Sequence, residues 1–166
     1  MTFIRAWRFI TLMLTSLSLS PSMAHLLELP QKMQFDQKLW VRVTVVENLY
    51  RLFGSVGAVF EITAILTAIV LVFLVRRRGS TFYWTLGGAI LLVLAFVSWI
   101  MFVAPMNAEF AKWLVNPVPA DWMRYRDRWE YAHAVNAFIK IIGLSFLVIS
   151  VLVETPKKKA IDSDRE

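Results

Sequence analysis

Apolar and polar positions alternate along the chain in blocks rather than residue by residue. Leu52–Val75 is apolar apart from Glu61 and closes on Arg76-Arg77-Arg78, and Gly79–Ala108 contains no charge. Asp121–Val153 is polar and aromatic in front and almost wholly apolar behind. Blocks of about 20 apolar residues match the hydrocarbon thickness of a bilayer. They predict membrane-crossing helices at 52–75, 82–104 and 131–153, with Pro105 ending the second of these. A fourth block, Phe9–Leu29, is of similar length but rich in Ser and Thr, which places one of its faces against protein.

The beginning of the chain has two readings. Arg5 and Arg8 precede an apolar stretch, and Ser22-Met23-Ala24 fits a small-x-small cleavage site, as in a secretory signal. The apolar character nevertheless continues through His25-Leu-Leu-Glu-Leu-Pro30, so an uncleaved first span over 9–29, with Pro21 as a kink, is preferred. Between the first two spans, Phe35, Leu39, Val43, Val46 and Tyr50 recur every three or four residues within Gln31–Arg51. That spacing predicts an amphipathic helix on the membrane surface, with Glu47 and Arg51 as an i,i+4 pair and its charges solvated. Met106–Ala120 reads as a loop, Asp121 as the cap of the last helix, and Phe110, Trp113, Trp122, Tyr125 and Trp129 as an interfacial aromatic belt.

The pattern therefore predicts an all-α, integral membrane four-helix bundle with an amphipathic interfacial helix between spans 1 and 2. It forms a single domain over 1–156, followed by a short cytoplasmic tail over 157–166. Composition agrees: 166 residues, 58% hydrophobic and 18% charged. The net charge of +6 resides in short clusters flanking apolar runs, not on a basic aromatic face. It points to topology and away from nucleic acid. Four spans place Arg5/Arg8, Arg76–Arg78 and Lys157–Lys159 on one side, which the positive-inside rule makes cytoplasmic. Both termini are then cytoplasmic in a multi-pass protein of a bacterial inner membrane. With no cysteine, disulfides, thiolate metal sites, iron–sulfur clusters and c-type haem are excluded.

Candidate chemistry gathers on the last helix, where Arg126, Trp129, His133, Asn136 and Lys140 share one stripe. Glu61 and Lys140 each lie about nine residues in from the same side, roughly 13 Å deep, so an intramembrane Glu61–Lys140 pair is predicted. Its role is either helix registry or the lining of a polar cavity. His25-x-x-Glu28 on the first span and Glu130-x-x-His133 on the fourth have the spacing of carboxylate-bridged metal sites in helical bundles. The competing reading makes these histidines hydrogen-bonded interfacial groups and both glutamates solvated. Arg124, Arg126 and Arg128 face the alternatives of an anionic group or pairing with Asp121, Asp127 and Glu130.

Three motifs carry a family resemblance: His25-Leu-Leu-Glu-Leu-Pro30 closing the first span, Ala104-Pro-Met-Asn107 closing the third, and Trp122…Arg128-Trp129-Glu130…His133 opening the fourth. Over roughly Phe9 to Val153 the chain resembles the family of small four-span membrane proteins of unknown function related to the fungal anthrone oxygenases. The pattern around His25 and Glu28 is closer to the bacterial members. The resemblance implies a four-helix membrane bundle and, on the oxygenase branch, oxidation of a polycyclic phenolic substrate by O₂ without a recognised cofactor. Asn107, Trp129 and His133 would then be pocket groups, with His133 as the base. Three classes stay open: a cofactor-free oxygenase-like enzyme acting on a small aromatic ligand, a non-catalytic membrane subunit or small transporter, and a metal or haem b carrier using His25 and His133.

Overall fold

The computed structural model describes residues 3–154; the tail at 157–166, with Lys157–Lys159, lies outside them. Among the described residues it is all-helical, in the order α1 (Phe3–Lys32), α2 (Gln37–Val41), α3 (Arg51–Val75), α4 (Ser80–Ser98), α5 (Ala104–Lys112) and α6 (Trp122–Leu152). Four helical stretches are long and apolar enough to cross a membrane: α1, α3, α4 continued into α5, and α6. Neighbours in sequence are neighbours in space. α1 packs on α3, α3 on α4, α4 on α6, and α6 back on α1, closing an up-and-down four-helix ring.

α1 buries a polar stripe against apolar and small residues of α3, among them Ala64, Ala68, Leu71 and Val75, while large apolar side chains face outward. The fully buried residues of α1 are Arg8, Thr11, Thr15, Ser18, Ser22, His25 and Lys32, a three-to-four stripe without an apolar member. Leu66, Phe73, Ile90 and Phe138 face outward instead. Lower in the ring the hydroxyls are satisfied by their own helices: Thr11, Thr15 and Thr85 each donate to the carbonyl four residues back, at 2.8–2.9 Å. They act there as small side chains that allow close helix approach. α4 and α6 are in close contact at Gly88 and Gly143; a Cβ on Gly88 would lie 2.8 Å from Leu147 Cγ and 3.0 Å from the Gly143 carbonyl.

Three expectations are corrected. Pro105 does not end the third span. A π-turn over Trp99–Val103 precedes it, the Ala104 N–H bonding back to the Trp99 carbonyl, and the helix resumes as α5 through the expected loop. Widening the turn frees the chain from the amide bond that proline cannot make. Residues 31–51 do not form one helix. α1 extends to Lys32, α2 is short, a π-turn covers Arg42–Val46, and Asn48 reverses the chain at φ 48°. Leu39 and Val46 face outward there, Trp40 and Val45 inward, and Glu47 pairs with Arg42 rather than Arg51. Asp121 occupies the N-cap position of α6, but its side chain makes no capping bond.

At the basic end of the ring, Arg8 from α1 and Arg78 beyond α3 both donate to Glu154 beyond α6. Partial burial pushes the Glu154 carboxyl upward, but the hydrogen bonds and charges of Arg8 and Arg78 prevail and hold it below its ordinary 4.5. The depressed pKa contributes stability above that ordinary value and loses it as the pH falls further. Thermal unfolding in detergent should therefore show a drop in midpoint below pH 4.5 that Glu154→Gln abolishes. Gly88→Ala should destabilise the protein by about 1–3 kcal/mol through overpacking against backbone. Gly54→Ala, where a Cβ meets nothing within 4 Å, should be neutral or mildly stabilising.

Candidate functional site

Two buried ammonium groups organise the half of the ring opposite the basic end. The deeper is Lys140 on α6, whose Nζ lies 2.8 Å from Glu61 Oε2 on α3, 3.3 Å from Ser22 Oγ and 3.4 Å from the Ser18 carbonyl, both on α1. Three donors meet three acceptors. The Glu61–Lys140 pair is thus present as expected, with Asn136 one turn away donating to the Ala95 carbonyl at 2.6 Å. Glu61 Oε1 and Ser18 Oγ are buried beside it without a hydrogen-bond partner.

The shallower ammonium is Lys32, at the end of α1. Its Nζ stands 2.8 Å from Glu130 Oε2, 3.4 Å from His25 Nδ1 and 4.0 Å from Glu28 Oε2. It also lies over the rings of Tyr50 and Trp129, at 4.6 and 5.0 Å from their centroids. Because an ammonium only donates, His25 Nδ1 accepts, and a neutral imidazole there carries its proton on Nε2. Trp40 Nε1 donates to Glu130 Oε1 at 3.0 Å, and Tyr50 OH donates to Glu28 at 2.7 Å. Burial, the bond to Glu28 and the charges of Glu28 and Glu130 push the Tyr50 phenol well above its usual range, keeping it a donor. Glu130 is almost completely buried, against the expectation of a solvated group, whereas Glu28 is part-exposed.

His25 and His133 do converge. Their rings stack at 4.1 Å with 20° between planes, and the Trp129 ring stands edge-on to both. Trp129 Nε1 donates to Asn107 Oδ1 at 2.7 Å, so the three pocket groups implied by the family resemblance are in one place. Of the candidate metal set, His25, Glu28 and Glu130 gather around Lys32 Nζ, which takes the position a cation would need, and His133 stacks on His25. Among the described residues no group of three or more His, Asp or Glu side chains is arranged to hold a metal ion. Two face-stacked imidazoles likewise leave no slot for an iron between their nitrogens, so haem ligation by the two together does not fit. Arg126 is buried against Asp127 and the Met33 carbonyl, while Arg124 and Arg128 face outward.

Between the two ammonium clusters lies a cavity of about 400 Å³. His25, His133 and Trp129 line its upper part, and Glu61, Asn136 and Lys140 its floor. Phe53, Phe96, Trp99 and Phe110 supply aromatic walls. Its volume falls in the range of small-molecule sites, and the mix of apolar walls with a few convergent polar groups is what such sites need.

Lys32, Trp40 and Tyr50 are the site residues that the sequence reading missed. A signal existed for Lys32, since it continues the buried stripe of α1 one heptad past His25. None existed for Trp40 and Tyr50, whose positions depend on the fold-back of residues 33–50. The chain matches no protein-family model, no curated protein and no solved structure.

Breaking one partner of a buried pair costs more than removing both. Glu61→Gln should destabilise the protein by about 3 kcal/mol, and adding Lys140→Met should recover most of it in a double-mutant cycle. Lys32→Met should likewise be rescued by Glu130→Gln, read as the unfolding midpoint in detergent; additive losses would refute either pair.

Proposed function

We propose that the chain is a four-span protein of a bacterial inner membrane, with both termini cytoplasmic, that binds a planar aromatic compound bearing an acidic proton. In this reading it oxidises that compound with O₂ and without a cofactor, in the manner of the anthrone oxygenases that its motifs resemble. Insertion is supported by the large apolar side chains facing outward along the long helices and the polar stripe buried on α1, which suit lipid rather than water. The orientation is supported by Arg5, Arg8 and Arg76–Arg78 sharing the end opposite the cavity. Residues 33–50 then lie at the outer interface.

The observation that carries the ligand-binding reading is the cavity itself: it adjoins both ammonium clusters and is walled by aromatic rings. A bundle whose ion pairs served only to hold helices together would have no need of that space. The chemistry assigned to it uses His133 as general base. Removal of a ring-activated C–H proton by His133 leaves a carbanion stabilised across the aromatic system. That carbanion reduces O₂ and bonds to it through the same carbon, giving a hydroperoxide after the proton returns. Loss of water converts the hydroperoxide to the ketone, so that R₂CH₂ + O₂ becomes R₂C=O + H₂O.

Purified protein in lipid nanodiscs should convert anthrone to anthraquinone faster than empty nanodiscs, with one O₂ consumed per anthrone. His133→Ala should lower kcat by about a hundredfold or more while tryptophan quenching by anthrone persists. Absence of both quenching and acceleration in the wild type would overturn the reading.

A further inference from the structure

A buried aromatic cluster borders the cavity on the side of α2 and α5. It comprises Trp40, Phe110, Trp113, Trp122 and Trp129, drawn from α2, α5, the segment after α5, and α6. The exposed members of the cavity lining fall into two rows. One is Asn48, Arg51 and Gly54, where α3 begins; the other is Asn107, Ala111 and Leu114, stepping four and three along α5 and just past its end. No extensive packing joins α3 to α5, because the π-turn at Trp99–Val103 separates the direction of α5 from that of α4, which does pack on α3.

We infer that the gap between these rows is a lateral portal, and that the ligand entering it is a bilayer-dissolved aromatic phenol with an apolar tail that stays outside. The assignment of an aromatic head group rests on the function proposed above; the portal and the tail rest on other observations. Exposed apolar side chains flank the opening, Leu52, Val56 and Val59 on α3 and Val115 beyond α5, with Lys112, paired to Glu109, beside Ala111. A molecule reaching the opening from lipid therefore loses no hydration of its tail. The rim carries one cation, Arg51, and no carboxylate among its six residues, which suits a neutral or anionic phenolic head and disfavours an amine. Gly54 leaves the opening clear: a Cβ at this position would meet nothing within 4 Å. A larger side chain there fits the fold and projects into the passage.

The test uses full-length protein in nanodiscs and two probes, dihydroxyanthrone and the same ring bearing a hexadecyl chain, with binding read by quenching of tryptophan fluorescence. In the wild type both probes should bind with similar affinity once each is referred to its concentration in lipid. Gly54→Phe and, from the other row, Ala111→Phe should each weaken both probes by about tenfold or more. Val59→Phe, on the outward face, should not. Rejection of the tailed probe, or indifference to both rim substitutions while the tail-free probe binds, would overturn the portal and leave the ligand assignment standing. Failure of both probes to quench the wild type would overturn both.

Discussion

Two lysine ammonium groups, each only 4% exposed, set the terms for the rest of this structure. A charge so buried is tolerated only when paired and hydrogen-bonded. Lys140 meets that requirement by drawing a carboxylate from α3 and two oxygens from α1 onto α6, and so ties three of the four long helices at one level. Lys32 meets it with Glu130, whose second oxygen is held by Trp40. That arrangement needs residues 33–50 to fold back across the end of the ring, with Tyr50 laid against the ammonium and bonded to Glu28. The irregular connection between α1 and α3, with its π-turn and left-handed Asn48, is thus part of the site.

The same constraint accounts for the cavity. Small residues along α1, α4 and α6 allow tight contact near the basic end, where hydroxyls are satisfied by their own helices. Towards the other end the inward side chains become large and polar, and the π-turn before Pro105 separates the upper part of the third span from α3. Rings of Phe53, Trp99 and Phe110 line the resulting space without filling it. His133 is the group best placed to do chemistry there, because it is stacked on His25, edged by Trp129 and open to the cavity.

Much of this was legible in the sequence, for identifiable reasons. Long, mostly apolar runs mark the four long helices irrespective of context. The stripe Arg126–Trp129–His133–Asn136–Lys140 is buried as its spacing requires, and equal depth was enough to match Glu61 with Lys140. What could not be read depended on the path of the chain between spans. A period of three to four in residues 31–51 looks like a surface helix, yet two breaks displace its inward face from Leu39 and Val46 to Trp40 and Val45. Pro105 reads locally as a terminator, and only a π-turn lets the helix continue. The His/Glu spacing puts His25, Glu28 and Glu130 near one another with His133 stacked on His25, but the cation among them, Lys32, belongs to a segment whose charges read as solvated.

The central claim is that an accessible chamber separates the two ammonium clusters, and the absence of native cysteine permits a direct measurement. Ala58 lines the cavity, whereas Ala68, on the same helix, is packed to zero exposure. Single cysteines at each position would be exposed to a small, uncharged thiol reagent in intact nanodiscs. The account predicts that Ala58→Cys is modified rapidly and Ala68→Cys is not, with the reaction at Ala58→Cys slowed by adding Gly54→Phe. Equal inertness at the two positions would mean that the helices close over this space, and would contradict the account.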